Sequence, residues 1–200
     1  TTPETTKPDL ADKSIETKPK SIGNIDILQL PSVMADFAIN PTTGDIAAVD
    51  PTAHRARLFR ASEGFKSESD ADNVRLGDTP IAIAYKRFGD QDFFAAVCTQ
   101  DSHMYVIDAE NFSLVKKIPL ASAGVSSVTG SLNPEDPFVY YNYGSGHGSS
   151  AGVVDLRKMV DRGAAFGDSM DCAISADGRV AYRRGPWSPS GFASLLMMND

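Results

Sequence analysis

HMYVIDAENFSLVKKIPL, residues 103–120, holds two short β-rich runs around the polar turn Ala109-Glu110-Asn111. HMYVID and FSLVKKIPL are rich in strand-forming residues, and such runs around turn residues read as a β-hairpin. Immediately upstream, PIAIAY (80–85) and DFFAAVCT (92–99) are two more strands bounded by turn residues. Four consecutive strands make a small antiparallel sheet, too small to bury both of its faces unless a neighbour of the same kind stacks on it.

Such neighbours are present in the sequence. FAINPTTGDIAAVD (37–50), IAIAYKRFGDQDFFAAVC (81–98), SVTGSLNPEDPFVYYN (127–142) and CAISADGRVAYRR (172–184) each place a small-apolar pair before a polar turn and an apolar run. With Ala38, Ala82, Val128 and Ala173 taken as equivalent, the intervals are 44, 46 and 45 residues. No window sustains the i, i+3, i+4, i+7 spacing of an amphipathic helix. Four short strands per unit, repeated at this period, predict an all-β β-propeller built from four-stranded antiparallel blades. Residues 22–31 read as an outer strand, 32–78 as blade 1, 79–122 as blade 2, 123–167 as blade 3 and 168–200 as an incomplete blade 4. The last strand, FASLLMM, is apolar and is followed only by Asn199-Asp200, whereas repeat arrays blunt their ends. The expectation is an incomplete ring, the N-terminal portion of a larger and possibly seven-bladed propeller.

The pattern of residues 103–120 resembles the YVTN-type, or lactonase-like, propeller repeat. Tyr105, Val106, Ile107 and Asp108 fill its V-x-V-I-D part, Ser113 to Val115 its T-x-x-V part, and Ile118, Pro119 and Leu120 its I-P-V ending. AGVVDLRK (151–158) keeps a V-V-D core, and ARLFRAS (56–62) has lost the aspartate. The resemblance covers the periodicity of residues 22–200 and implies a propeller; it does not imply an activity, because such repeats serve many functions.

The chain carries 26 acidic against 19 basic side chains, a net charge of −7, and its bases are scattered, so a nucleic-acid partner is disfavoured. No apolar run approaches the ~20 residues of a membrane-spanning helix, which predicts a soluble chain without membrane insertion. Cys98 and Cys172 lie in apolar runs and read as core residues. Residues 1–21, rich in Thr, Pro and paired charges, read as a disordered linker or tail. It is either a frayed terminus or a tether to another domain or to an upstream membrane anchor, the last of which would make the folded part extracytoplasmic.

Three histidines, His54, His103 and His147, fall in the hairpin between the second and third strands of successive blades, and those hairpins project on one face. A metal needs imidazoles converging at about 2.1 Å, whereas equivalent positions on adjacent blades spread around a ring. They read as solvated turn histidines on a binding face, with no metal site. Trp187, between two prolines in the corresponding hairpin of the last unit, either anchors a partner or folds back on the blade. YGSGHGSSAG (143–152) formally satisfies a relaxed dinucleotide fingerprint, but the next segment reads as a strand where phosphate binding requires a helix N-terminus, so no cofactor is expected. SESDADN (67–73), with Asp70 and Asp72, lacks the glycine and terminal glutamate of a calcium loop and reads as a solvated connection. Asp108 and Asp155 follow third strands, where a carboxylate fixes the turn. Asp36 and Asp171 occupy equivalent slots at the starts of innermost strands and are the candidates for channel-facing acids. No HExxH, CxxC, GxSxG or P-loop spacing occurs, and no catalytic residue is assigned. These features lead to a non-catalytic propeller module presenting loops to a protein or other macromolecular partner. The alternative is a portion of a lactonase-like or other propeller enzyme whose active-site residues lie mostly outside this chain.

Overall fold

The computed structural model describes residues 20–22, 25–27, 30, 32–65, 72–144, 150–166, 171–184 and 193–197, which fall in two units, 1–32 and 33–200. In the first, β1 (Lys20–Ile22) pairs with β2 (Ile25–Ile27) as an antiparallel hairpin. The sequence reading drew a single outer strand over 22–31; within that range the structure has Ile22 on one strand paired with Ile25 on the next.

The second unit consists of four antiparallel sheets in chain order, and among the described residues it has no α-helix. Sheet one is β3 (Asp36–Ile39), β4 (Ile46–Asp50), β5 (Arg55–Phe59) and β6 (Asn73–Arg75), with one 3-10 turn at Ala61–Glu63. Sheet two is β7 (Pro80–Phe88), β8 (Gln91–Cys98), β9 (His103–Asp108) and β10 (Ser113–Pro119). Sheet three is β11 (Val125–Gly130), β12 (Phe138–Tyr143), β13 (Ser150–Asp155) and β14 (Val160–Phe166). Sheet four has three strands, β15 (Asp171–Ile174), β16 (Val180–Arg184) and β17 (Ala193–Met197). The first strands lie together: β7 packs between β3 and β11, and β15 packs on β11. These are propeller blades in sequence, and they do not close into a ring.

Period-two alternation explains the stacking. In blade 1, Ala38, Ala47, Val49, Ala56, Leu58 and Val74 share one face and pack on Ile83, Phe94, Ala96, Tyr105 and Ile107 of blade 2. The opposite face of blade 2, with Ala82, Ala95, Val97, Met104 and Val106, packs on Val125, Val139, Tyr141 and Val154 of blade 3. Tyr140, Ala151 and Cys172 begin the third interface, and both cysteines are buried as expected. Each large side chain that leaves water entirely, such as Leu58, Phe94 or Ile107, contributes about 1.5–3 kcal/mol of transfer free energy.

Polar locks reinforce the interfaces. Asp36 Oδ2 accepts the Ile83 N–H at 3.0 Å, joining blades 1 and 2. Lys86, fully buried in β7, donates from Nζ to Ser131 O at 3.0 Å, Ser131 Oγ at 2.9 Å and Asn133 O at 2.8 Å, with Asp136 Oδ2 at 3.7 Å, joining blades 2 and 3. Leu132 N and Asn133 Nδ2 donate to Ala176 O and Asp177 O at 2.9 and 3.0 Å, joining blades 3 and 4. Asp108 Oδ1 accepts the N–H groups of Glu110 and Asn111 at 3.0 and 2.7 Å, and Asp155 Oδ1 those of Arg157 and Lys158 at 3.0 and 3.3 Å. Both aspartates therefore fix the turns assigned to them, and the residue ending each turn, Phe112 or Met159, adopts a left-handed φ of 45° or 53°.

Asp72 departs from its sequence reading. It is not a solvated linker residue: it is buried beside β6 and accepts from Arg60 Nε at 3.3 Å, because the strand begins one residue later. Asp70 lies outside the described residues.

The buried tyrosines give the chain an alkaline limit. Burial raises the pKa of Tyr85, Tyr140 and Tyr141, aided by hydrogen bonds to Asp92 and Asp161 at Tyr85 and Tyr141, and pushes Tyr105 up to about 12. Unfolded tyrosine ionises near pH 10. Above about pH 10 the folded state therefore holds more protons than the unfolded state, and stability falls as pH rises toward the folded values. Lys86, lowered by burial against the opposing pull of Asp136, acts with the other sign and gains stability as pH approaches about 10. Four raised hydroxyls outweigh one amine, so tyrosinate absorbance is expected to lag at pH 10–11 and then rise together with loss of β-sheet circular dichroism. Independent titration of all tyrosines at pH 10 in the folded chain would contradict this.

Candidate functional site

Two hairpins, β4–β5 and β8–β9, together with the link from β6 to β7, build a polar ridge at one end of blades 1 and 2. Asp50 shapes the first hairpin. Its Oδ1 accepts the N–H groups of Thr52 and Ala53 at 3.1 and 2.9 Å, and its Oδ2 takes Arg57 through Nε and Nη2, both at 3.0 Å. The chain then turns through His54 with a left-handed φ of 52°, and Ser102 repeats this at 50° in the second hairpin. His54 Nδ1 lies 3.4 Å from Asp78 Oδ1 and 3.4 Å from Gly77 O.

Gly77 carries the ridge to blade 2. A Cβ on it would sit 1.9 Å from Asp101 Oδ2, so only a residue without a side chain lets the link run this close to the carboxylate. Asp101 gathers its neighbours. Lys117 Nζ lies 3.1 Å from Oδ2, His103 Nδ1 lies 3.2 Å from Oδ1, and the Tyr105 hydroxyl donates to Oδ2. Lys117 Nζ also stands 5.2 Å from the centre of the Tyr105 ring. Burial alone would raise the Asp101 pKa, but the hydrogen bonds from Tyr105 and Lys117 and the charge of Lys117 outweigh it and hold the carboxyl below its ordinary value. Hydrogen bonds to Tyr105 and Asp101 raise Lys117 in turn. Beneath the ridge, burial pushes the Cys98 thiol up to about 12, which leaves it protonated and unreactive.

Asp101→Asn tests this network. Because the folded pKa is depressed, the contribution is present above the unfolded value near 3.9 and is lost as pH falls through the folded value. The substitution is expected to cost about 1–2 kcal/mol in urea denaturation at neutral pH, with a smaller difference from the parent at acid pH. Equal loss at both pH values would show that the charge is not what holds the cluster.

The sequence candidates are distributed as follows. His54 and His103 sit on successive hairpins of one end, and each meets an aspartate of its own. Among the described residues, no group of three or more His, Cys, Asp or Glu side chains is placed to hold a metal ion. His147 and Trp187 lie outside the described residues. Asp36 spends one oxygen on the Ile83 N–H, and Asp171 opens β15 with its backbone opposite Arg184. The last three residues of YGSGHGSSAG, Ser150 to Gly152, already belong to strand β13. Sequence reasoning missed Asp78, Asp101, Tyr105 and Lys117. The available signal was cross-strand: Lys117 stands directly opposite Tyr105, and Pro119 opposite His103.

No protein-family model matches the chain, and no curated protein matches it. Solved structures do. Hydrazine synthase from Kuenenia stuttgartiensis superposes with a TM-score of 0.64 at 16% identity, over 82% of this chain and 46% of that one. Dihydro-heme d1 dehydrogenase NirN, in complex with DHE, superposes with a TM-score of 0.63 at 13% identity, over 86% of this chain and 37% of that one. The chain thus spans less than half the length of each. No helix among the described residues is long and apolar enough to cross a membrane. At these identities the likeness shows architecture alone, and that architecture is an all-β, propeller-like array of antiparallel blades.

Proposed function

We propose that the chain is a non-catalytic propeller module of the YVTN type that binds a protein partner through the end of the blades carrying the second-to-third-strand hairpins. The observation that carries this reading is the ridge His54–Asp78–Gly77–Asp101–His103–Lys117, which spans two blades and leaves charged and imidazole side chains part-exposed. Function concentrates on loops held by such a scaffold. Blade 2 supports the repeat assignment, since Tyr105–Asp108 and Ile118–Leu120 occupy the strand and turn positions that the repeat needs. The second reading, a portion of a propeller enzyme, draws on the catalytic names of the two solved neighbours. It ranks lower because Asp36, at the start of an innermost strand, is engaged in joining two blades.

A photo-crosslinking residue placed at exposed Gln100, on the ridge end, and at exposed Glu110, on the opposite end, tests the proposal in the native host. One recurrent protein adduct from position 100 and none from 110 is expected. Equal labelling from both ends, or none from 100, would refute it.

A further inference from the structure

We propose that the outer corner of blade 1 is an oxyanion site, with Arg55 and Arg75 as its two arms. The site adjoins the partner ridge at His54 and Asp78 but takes its binding groups from β5 and β6. Arg55 on β5 is directly opposite Arg75 on β6 in an antiparallel pair, so both guanidiniums leave the same side of the sheet. That side faces away from blade 2, because the alternate residues Ala56 and Val74 form the interface with blade 2. Two like charges at facing strand positions repel, an arrangement that a β-sheet tolerates at a loss.

The neighbouring arginine shows how a satisfied one looks. Arg57, two positions along the same face, is neutralised by buried Asp50 through two contacts of 3.0 Å. Among the described residues, Arg55 and Arg75 make no such ion pair. They border a cleft of about 550 Å³ that also takes in His54, Asn73 and Asp78. Among the described residues Asp78 is the one acid on that border, and its carboxylate is turned to His54 at 3.4 Å. The cleft therefore offers two planar five-donor forks to a group rich in acceptor oxygens, the chemistry of a phosphate, a sulfate or a pair of carboxylates. The chain as a whole carries −7, so anions are not drawn to it at large, and binding must come from this local geometry.

Thermal unfolding of the full chain in inorganic phosphate, in a short oligoglutamate peptide and in chloride of matched ionic strength tests the site, with Arg75→Thr and Arg55→Gln as variants. Phosphate or the peptide is expected to raise the parent midpoint above chloride, and whichever does so more strongly identifies the oxyanion. Each variant should bind it about tenfold more weakly. In chloride, Arg75→Thr should melt at or above the parent, since repulsion is relieved. A parent indifferent to both anions, variants that respond as the parent does, or an Arg75→Thr chain that melts lower in chloride would each overturn the proposal.

Discussion

Lys86→Met is expected to destabilise the chain by about 3 kcal/mol, with the fold retained. Methionine nearly matches the lysine in length and volume, so the loss measures polar contacts and not a cavity. Three acceptors lose a charged donor at once: Ser131 O, Ser131 Oγ and Asn133 O. Asp136 keeps the Ser131 hydroxyl at 2.5 Å and the Phe138 N–H at 3.0 Å, yet its charge, little exposed, is left without a counter-ion. Adding Asp136→Asn should therefore return part of the loss, because removing both charges costs less than stranding one. Urea midpoints of the parent, both single variants and the double variant form the cycle. Strict additivity would show that the lysine and the aspartate are not coupled.

Gly152→Ala should cost about 2–4 kcal/mol, a large effect for one methyl group. Gly152 faces Tyr141 across the β12–β13 pair, and the tyrosine ring lies over it. A Cβ would fall 2.3 Å from Tyr141 Cζ and 2.5 Å from its hydroxyl oxygen. The ring has nowhere to go: it is 1% exposed, and its hydroxyl donates to Asp161 Oδ2 at 2.9 Å. The same Asp161 oxygen accepts the Ala121 N–H at 2.7 Å, so moving the ring also disturbs the contact of blade 3 with the end of blade 2. Gly163→Ala is the control. There a Cβ meets nothing within 4 Å, and only a left-handed φ of 81° opposes the side chain, so its loss should be about 1 kcal/mol. Equal losses at the two sites would mean that the ring yields.

The architecture was legible because alternation and period survive translation into sheets, but the register was not. Ala38, Ala82, Val128 and Ala173 are interchangeable in the sequence pattern, yet the strand pairing separates them. Ala38 pairs with Ala47, three residues before the Asp50 hairpin, whereas Ala82 pairs with Val97, next to Cys98. The counterpart of Ala38 is Ala84, which pairs with Ala95. Val128 is off by a single position, which turns it toward the preceding blade beside Tyr141, while Ala38 and Ala82 face the following one. Ala173 is exposed where its neighbour Cys172 packs inward. A slip of one residue exchanges the two faces of a strand, and no composition argument detects it. The site suffered for the same reason: Arg55 and Arg75, or Tyr105 and Lys117, are far apart in sequence and meet only once the register is set.

The Lys86 amine also restricts how such a chain diversifies. Propellers grow and shrink by duplicating or deleting whole repeats, which requires that each unit fit any neighbour. Blade 2 does not, because its ammonium needs the loop of blade 3, and Gly178 of blade 4 abuts the same pocket, where a Cβ would come within 2.8 Å of Asp136 Oδ2. Blades 2, 3 and 4 are thus inherited as a set: transplanting one of them into another ring should fail unless its two companions travel with it.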